Sequence, residues 1–298
     1  MPFEELFFGF LICLIVAYFC MKRTLLRFIT AVALTAGSAL DLATDMPSWQ
    51  CLLCAAGIWL ALAAVAFGFL WALCAVVDQN KEQEKDNKFY RTVMNIYIEA
   101  LKVLVGVRFH ITGAEKLPKD GRFLLVCNHL SLADPVLLLN AFPHAELAFI
   151  TKQENQQMFI VGNMMHKIMC QPLNRENDRA ALKTILKCIQ LIKDDEVNIA
   201  AFPEGYCSMD GKLHPFRSGV FKIAQKTNVP IVVCTLTNTL AVFTNMKKLK
   251  KTDVDLHLVD VIPPEALKGR NTVEIGEQIY EMMIADLGEE YRYTEINT

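Results

Sequence analysis

The sequence predicts an α/β fold, a mostly parallel sheet flanked by helices and preceded by an N-terminal helical membrane region. Three observations carry this. The 32 positions 46–77 hold no charged residue. From Asp78 onward the composition turns ordinary, with 27 of the 30 basic and 28 of the 32 acidic residues. Within that later part, short apolar runs alternate with stretches of helical period, as in sheets whose strands are joined by helices. The chain therefore divides into a membrane region, 1–78, and a second domain, 79–298, whose roughly 220 residues are ample for one core. A formal charge of -2 with 53% hydrophobic residues excludes a disordered chain and a nucleic-acid binder driven by net charge.

The membrane elements come first. Residues 49–77 are rich in Leu, Ala, Val, Phe and Trp, and about 20 such residues cross a hydrocarbon core of about 30 Å. Residues 6–21 form a shorter apolar run, with Glu4 and Glu5 before it and Lys22 and Arg23 after it. A cleavable signal peptide has its positive charge in front, so this run reads as a retained helix. The third run, 28–40, lies between Arg27 and Asp41. Basic clusters follow the first run (Lys22, Arg23, Arg27) and the long one (Lys81, Lys85, Lys88, Arg91). Placing both clusters in the cytoplasm requires an even number of crossings between them. The expectation is three spans with Asp41 and Asp45 outside and the second domain cytoplasmic; a two-span arrangement is the alternative. Of ten cysteines, Cys13, Cys20, Cys51, Cys54 and Cys74 fall in the apolar runs and the others are scattered, which suits reduced thiols rather than a disulfide framework.

In the second domain, 79–87 is charged and polar, suiting a linker or the solvated first turns of a helix, and that helix runs on with Tyr90, Val93, Ile96, Tyr97 and Leu101 on one face. Strands are expected at 107–112, 123–127, 147–151, 197–202, 231–236 and 255–261, from short apolar or alternating runs between turn residues. Helices are expected at 135–141, 180–193, 220–226 and 272–287. The clearest is 180–193, where Leu182, Ile185, Leu186, Ile189 and Ile192 recur at helical spacing with Lys183, Lys187 and Lys193 away from the stripe.

Working groups of such sheets gather beyond the carboxyl ends of the strands, and two segments stand there. In Asn128-His129-Leu130-Ser131-Leu132-Ala133-Asp134-Pro135, a strand-to-helix turn separates a histidine from an aspartate five residues on. A carboxylate so placed fixes the imidazole tautomer and supports the imidazolium. Asp134 followed by Pro135 is also a helix start, so one oxygen is expected to cap while the other meets His129. The spacing alone fits an ordinary turn histidine equally well. In Phe202-Pro203-Glu204-Gly205-Tyr206-Cys207-Ser208, proline stops the strand, glycine permits a tight turn, and a carboxylate is left at the crevice. Between them, Arg175 in Pro172-Leu173-Asn174-Arg175-Glu176-Asn177 offers a planar fork suited to phosphate. A surface ion pair is the common alternative for any single arginine.

Taken together and in this order, the three segments resemble the glycerophospholipid acyltransferase family, in particular its lysophosphatidic acid acyltransferase branch. The resemblance spans roughly residues 113–236 and takes in Leu117-Pro118, Gly121, Lys152, Pro215-Phe216-Arg217 and Gly219. It implies His129 as general base with Asp134 as its partner, Arg175, Glu204 and Gly205 as holders of the acceptor's phosphate and glycerol end, and Lys152 as a further substrate-binding residue. A further family block reads here Val229-Pro230-Ile231-Val232-Val233, without the second proline, and implies Pro230 at the acyl chain.

The function so implied is transfer of a fatty acyl group from a thioester to the free hydroxyl of lysophosphatidic acid, making phosphatidic acid at a membrane. The donor would be acyl-CoA or acyl-acyl carrier protein, with no bound cofactor, no metal and no nucleic-acid partner. Glycerol-3-phosphate or another lysolipid as acceptor, and a non-catalytic membrane-anchored lipid-binding protein, are the alternatives. Neither Ser131 nor Ser208 sits in a small-residue nucleophile turn, so direct transfer without an acyl-enzyme is expected. The run Lys247-Lys248-Leu249-Lys250-Lys251 reads as a solvated loop or as a contact for anionic lipid.

Overall fold

The computed structural model describes residues 25–44, 46–174 and 177–294. The apolar run 6–21, expected to be a membrane helix, lies outside the described residues. Contacts divide the chain into two compact units: residues 1–78 with 93–104, and residues 79–92 with 105–298.

In the first unit, α1 (Leu25–Ala43) and α2 (Ser48–Ala75) form an antiparallel pair. Trp59 Nε1 donates to Thr30 Oγ1 at 3.1 Å. At the other end of the pair the helices approach so closely at Gly37 that a Cβ there would stand 2.8 Å from Ala55 Cβ. Among the described residues one helix, Trp49–Ala75, is long and apolar enough to cross a membrane. The C-terminal part of α3 (Lys88–Leu104) belongs to this unit, with Tyr97 Oη donating to Ala66 O at 2.5 Å.

The segment 79–92 belongs to the second unit through a buried arginine. Arg91 pairs with Asp86 (2.6 and 3.0 Å) and donates to Leu147 O at 2.9 Å. The guanidinium fork satisfies several acceptors at once, which makes its burial tolerable.

The elements that follow are β1 (Val107–Thr112), β2 (Leu124–Cys127), α4 (Asp134–Ala141), β3 (Leu147–Lys152), α5 (Phe159–Lys167), β4 (Gln171–Leu173), α6 (Asp178–Lys193), β5 (Asn198–Ala201), α7 (Lys222–Thr227), β6 (Ile231–Thr237), α8 (Ala241–Lys247), β7 (Thr252–Ile262) and α9 (Thr272–Leu287). They build a seven-stranded sheet in the order β1-β7-β6-β2-β5-β3-β4. All neighbours are parallel except β6 and β7. The fold is thus the expected α/β class with a mostly parallel sheet.

Central strands β2 and β5 are buried along their whole length, as sheets covered on both faces require. β7 instead alternates, burying Val254, Leu256 and Leu258 and leaving Asp255 exposed, so one of its faces is partly open. One face of the sheet packs Val126, Ile199 and Val233 against Cys188 and Leu191 of α6, Ile223 of α7 and Ile275, Ile279 and Met283 of α9. Three elements were not expected from the sequence: α5, β4 and α8. The helix expected at 220–226 is split into a 3-10 turn (Ser218–Phe221) and α7.

Because β2, β3, β4, β5 and β6 run the same way, their carboxyl ends share one edge of the sheet. The loops after β2 and β5, which carry His129 and Glu204, therefore meet there.

Candidate active site

His129 follows the end of β2, and two devices hold its loop. Asn128 pairs with the backbone of β6, donating from Nδ2 to Leu236 O (2.9 Å) and accepting from Leu236 N (2.7 Å), so it continues the ladder where β2 stops. Ser208 N donates to His129 O at 2.8 Å, and Ser208 Oγ does so at 3.1 Å.

The imidazole faces Asp134 across the turn, with Nδ1 2.9 Å from Asp134 Oδ2. The same oxygen accepts from Leu130 N (2.7 Å) and Ser131 N (2.8 Å), and Asp134 is fully buried. The expected division of labour between its oxygens is corrected here. Oδ2 makes all three bonds and Oδ1 has no partner among the described residues. The carboxylate closes the turn that precedes α4 rather than capping that helix's own first N–H groups, because Pro135 follows it and the free donors lie upstream. With Nδ1 engaged as N–H donor, Nε2 is the basic nitrogen. Phe202 stacks on the ring at 4.1 Å between centroids and 16° between planes.

Glu204 turns inward. Oε1 accepts from His129 N at 2.7 Å and Oε2 from His214 N at 2.9 Å. Burial is the largest influence on this carboxyl and outweighs the hydrogen bonds that favour its ionised form, pushing its pKa up to about 7. Gly205 adopts φ +83, a conformation that costs an L-residue about 1–2 kcal/mol. A Cβ there would lie 2.8 Å from Arg217 Cδ, so the arginine side chain lies directly over this glycine. Arg217 N donates to Pro203 O at 2.7 Å, fixing that approach.

His129, Phe202, Gly205 and Arg217 line a cavity of about 480 Å³ together with Lys152, Thr151, Leu173 and Ile185. Its size falls within the usual range for small-molecule sites. Its walls are largely apolar along Phe149, Ile150, Ile185 and Val220. Polar groups stand at intervals: Lys152, ion-paired with Glu154 at 2.9 Å; Thr151 Oγ1, buried without a partner among the described residues; and Arg217, which has no carboxylate partner among them. Cys207 also lines it, and burial, with Asp134 and Glu204 adding, pushes its thiol up to about 11. Such a thiol is protonated at neutral pH and a poor nucleophile.

The structure thus brings His129, Asp134, Lys152, Glu204 and Gly205 to one strand-end edge. Arg175 lies outside the described residues. Pro230 immediately precedes β6, and its carbonyl accepts from Leu124 N at 3.0 Å. The parallel register pairs Leu124 with Ile231, so Pro230 stands at the amino ends of the strands, away from His129 and outside the cavity lining. Residues not singled out from the sequence are Phe202 as the stacking partner, Asn128 as the lock, and Arg217. Among the described residues no group of three or more His, Cys, Asp or Glu side chains is gathered to hold a metal ion.

A buried aspartate orients a strand-end histidine that lines a largely apolar cavity on a mostly parallel α/β sheet, an arrangement chemically able to accept a proton. Residues 108–237 match the family model described as Acyltransferase. Its relatives include a Mycoplasma pneumoniae protein named "Probable 1-acyl-sn-glycerol-3-phosphate acyltransferase", 32% identical over 56% of this chain and 62% of that one. A chloroplastic 1-acyl-sn-glycerol-3-phosphate acyltransferase of Brassica napus is 32% identical over 51% of this chain and 43% of its own length. The matches thus span less than two thirds of these relatives. The crystal structure of the 1-acyl-sn-glycerophosphate (LPA) acyltransferase of Thermotoga maritima superimposes with a TM-score of 0.57 at 23% identity. It covers 76% of this chain and 90% of that one, so the two share a fold.

Proposed function

We propose that this chain is an O-acyltransferase that moves a fatty acyl group from an acyl thioester to the free hydroxyl of lysophosphatidate, yielding phosphatidate. The observation that carries the reading is the His129–Asp134 pair beside a largely apolar cavity that Lys152 and Arg217 also line. The domain match and the names of the relatives support it.

In this reading, Nε2 of His129 takes the hydroxyl proton as the oxygen attacks the thioester carbonyl, and the thiolate of the donor leaves. Asp134 holds the tautomer and stabilises the imidazolium that forms. Arg217 and Lys152 hold the acceptor's phosphate, with Arg175 as a further holder from its place in the sequence. The apolar wall takes the acyl chain. Glu204 acts through the backbone of His129, as a positioning residue. The protonated Cys207 thiol favours direct transfer over an acyl-enzyme. The donor is acyl-CoA or an acyl thioester of acyl carrier protein. α2 anchors the chain in a bilayer, and the domain lies on the cytoplasmic face, with three spans and the loop around Asp41 and Asp45 outside. A reporter fused after Ser48 that reads cytoplasmic would overturn that topology.

Membranes carrying the protein should transfer acyl groups from a thioester to lysophosphatidate, and His129→Ala should abolish the transfer. Unchanged activity in that variant would overturn the assignment.

A further inference from the structure

We infer that the loop Lys247-Lys248-Leu249-Lys250-Lys251 is a docking element for an anionic lipid surface, set on the same edge of the sheet as His129. Its placement follows from strand direction. β2 and β6 are parallel, with Cys127 opposite Cys234, and β7 returns antiparallel, with Asp255 opposite Thr237. The amino end of β7 therefore lies beyond the carboxyl end of β6, and the loop that leads into it projects from the edge where the catalytic turn stands.

The loop is built to present its side chains. Asn245 O accepts from both Lys248 N (3.0 Å) and Lys250 N (2.9 Å), and Leu249 N donates to Met246 O at 3.0 Å. Those bonds force Leu249 into the left-handed region, φ 54, where a branched apolar residue is unusual and glycine or asparagine would cost less. At this crest Leu249 is 96% exposed. The four lysines beside it are exposed, and none has a carboxylate partner among the described residues.

An apolar tip flanked by unpaired cations matches a bilayer that carries negative headgroups over an apolar interior: the lysines meet phosphate while the leucine enters below them. Two other apolar side chains on the same edge are open to solvent, Leu132 (70%) beside His129 and Met209 (74%) after the Glu204 turn. A basic protein surface offers no such partner, and an acidic one would leave Leu249 in water.

The proposed lipid acylation gives this contact a purpose, since it sets the catalytic edge against the layer that holds the acceptor. The contact itself is read without any acyl transfer, so its failure and that of the proposed reaction are separable. The experiment is lysine footprinting of the full chain in vesicles with a water-soluble acetylating reagent, read by mass spectrometry. Lys268, exposed after β7 at the opposite edge, is the internal reference.

Relative to Lys268, acetylation of Lys248, Lys250 and Lys251 should slow about five-fold or more in vesicles with about 30 mol% phosphatidylglycerol compared with pure phosphatidylcholine. About 0.5 M salt should largely restore the rate. Equal rates in the two vesicles would overturn the proposal. Lys248→Glu with Lys250→Glu should abolish most of the phosphatidylglycerol-dependent slowing at Lys251; the same slowing in that variant would also overturn it.

Discussion

Glu204 and His129 are joined through the backbone rather than through their side chains. The carboxylate accepts the His129 N–H at 2.7 Å and, with its other oxygen, the N–H of His214 at 2.9 Å. It thus ties the turn after β2 to the loop that carries His214, and it fixes the peptide from which the imidazole projects.

A buried carboxyl in this position makes stability depend on pH. Its pKa rises from an ordinary 4.5 to about 7 on folding, so the folded state binds the proton more tightly than the unfolded one. The protonated group's share of stability is complete below about pH 4.5 and is lost as pH rises through about 7, to a total of about 3 kcal/mol. Glu204→Gln removes the ionisation but leaves one acceptor where there were two. Its melting temperature should change less between pH 5 and 8 than that of the unaltered protein. At pH 5 the variant should be the less stable by about 1–3 kcal/mol, the cost of one stranded N–H. Thermal melts of both proteins at the two pH values check this; parallel pH curves would refute it.

Asp134 offers a sharper separation of catalysis from folding. Its Oδ2 serves the imidazole and two turn N–H groups at once. In Asp134→Asn the amide oxygen can keep the turn bonds, yet the negative charge that supports an imidazolium is gone. The variant should fold, with a melting temperature near that of the parent, and kcat should fall about a hundred-fold or more. Asp134→Ala should lose both activity and about 1–3 kcal/mol of stability, because two buried N–H groups then lack an acceptor. Paired melts and initial rates distinguish the two outcomes.

How much of this was legible depended on range. β1 and α9 end where the sequence places them, because each is bounded by turn residues next to it in the chain. The α5 helix escaped notice: Phe159, Ile160 and Val161 favour strands by side-chain shape, and Gly162 weakens a helix. That glycine is retained because a Cβ would come within 2.1 Å of Gln156 O, a contact the sequence does not display. The His129–Asp134 pair was visible since one turn contains both. Glu204's inward orientation was not, since its donors lie on two other loops. The position of Pro230 was not legible for a related reason: its motif names a strand without saying which end faces His129, and only the parallel pairing with β2 decides that.

Arg217 tests the cationic lining. It lines the cavity without a carboxylate partner among the described residues and lies over Gly205, so a phosphate there would gain a charge-assisted hydrogen bond. Arg217→Ala should raise KM for lysophosphatidate about ten- to a hundred-fold with a smaller change in kcat, and Arg217→Lys should recover part of the loss. A monoacylglycerol acceptor, which has no phosphate, should show little difference between parent and variant. Gly205→Ala should mimic the KM effect, because its new methyl group would displace the arginine, and it should also cost about 1–2 kcal/mol of stability from its left-handed backbone. Unaltered KM in Arg217→Ala would assign the phosphate to other residues.

The last prediction concerns the helical pair. Around Gly37 the close approach of α1 and α2 depends on the absence of a side chain: the position's Cβ would meet Ala55 Cβ at 2.8 Å and Cys51 O at 3.3 Å. In a bilayer, where lipid tails are as apolar as the helices, such small-residue contacts supply association through packing rather than through the hydrophobic effect. Gly37→Ala should loosen the pair slightly. Gly37→Leu should force the helices apart and cost about 1–3 kcal/mol by overpacking. Among the described residues nothing stands within 4 Å of a Cβ built at Gly57 on α2, so Gly57→Leu is the matched control and should be tolerated. Thermal aggregation in detergent, followed for the three variants, should order them with Gly57→Leu most stable and Gly37→Leu least; equal behaviour of the two leucine variants would show that the close approach at Gly37 contributes nothing.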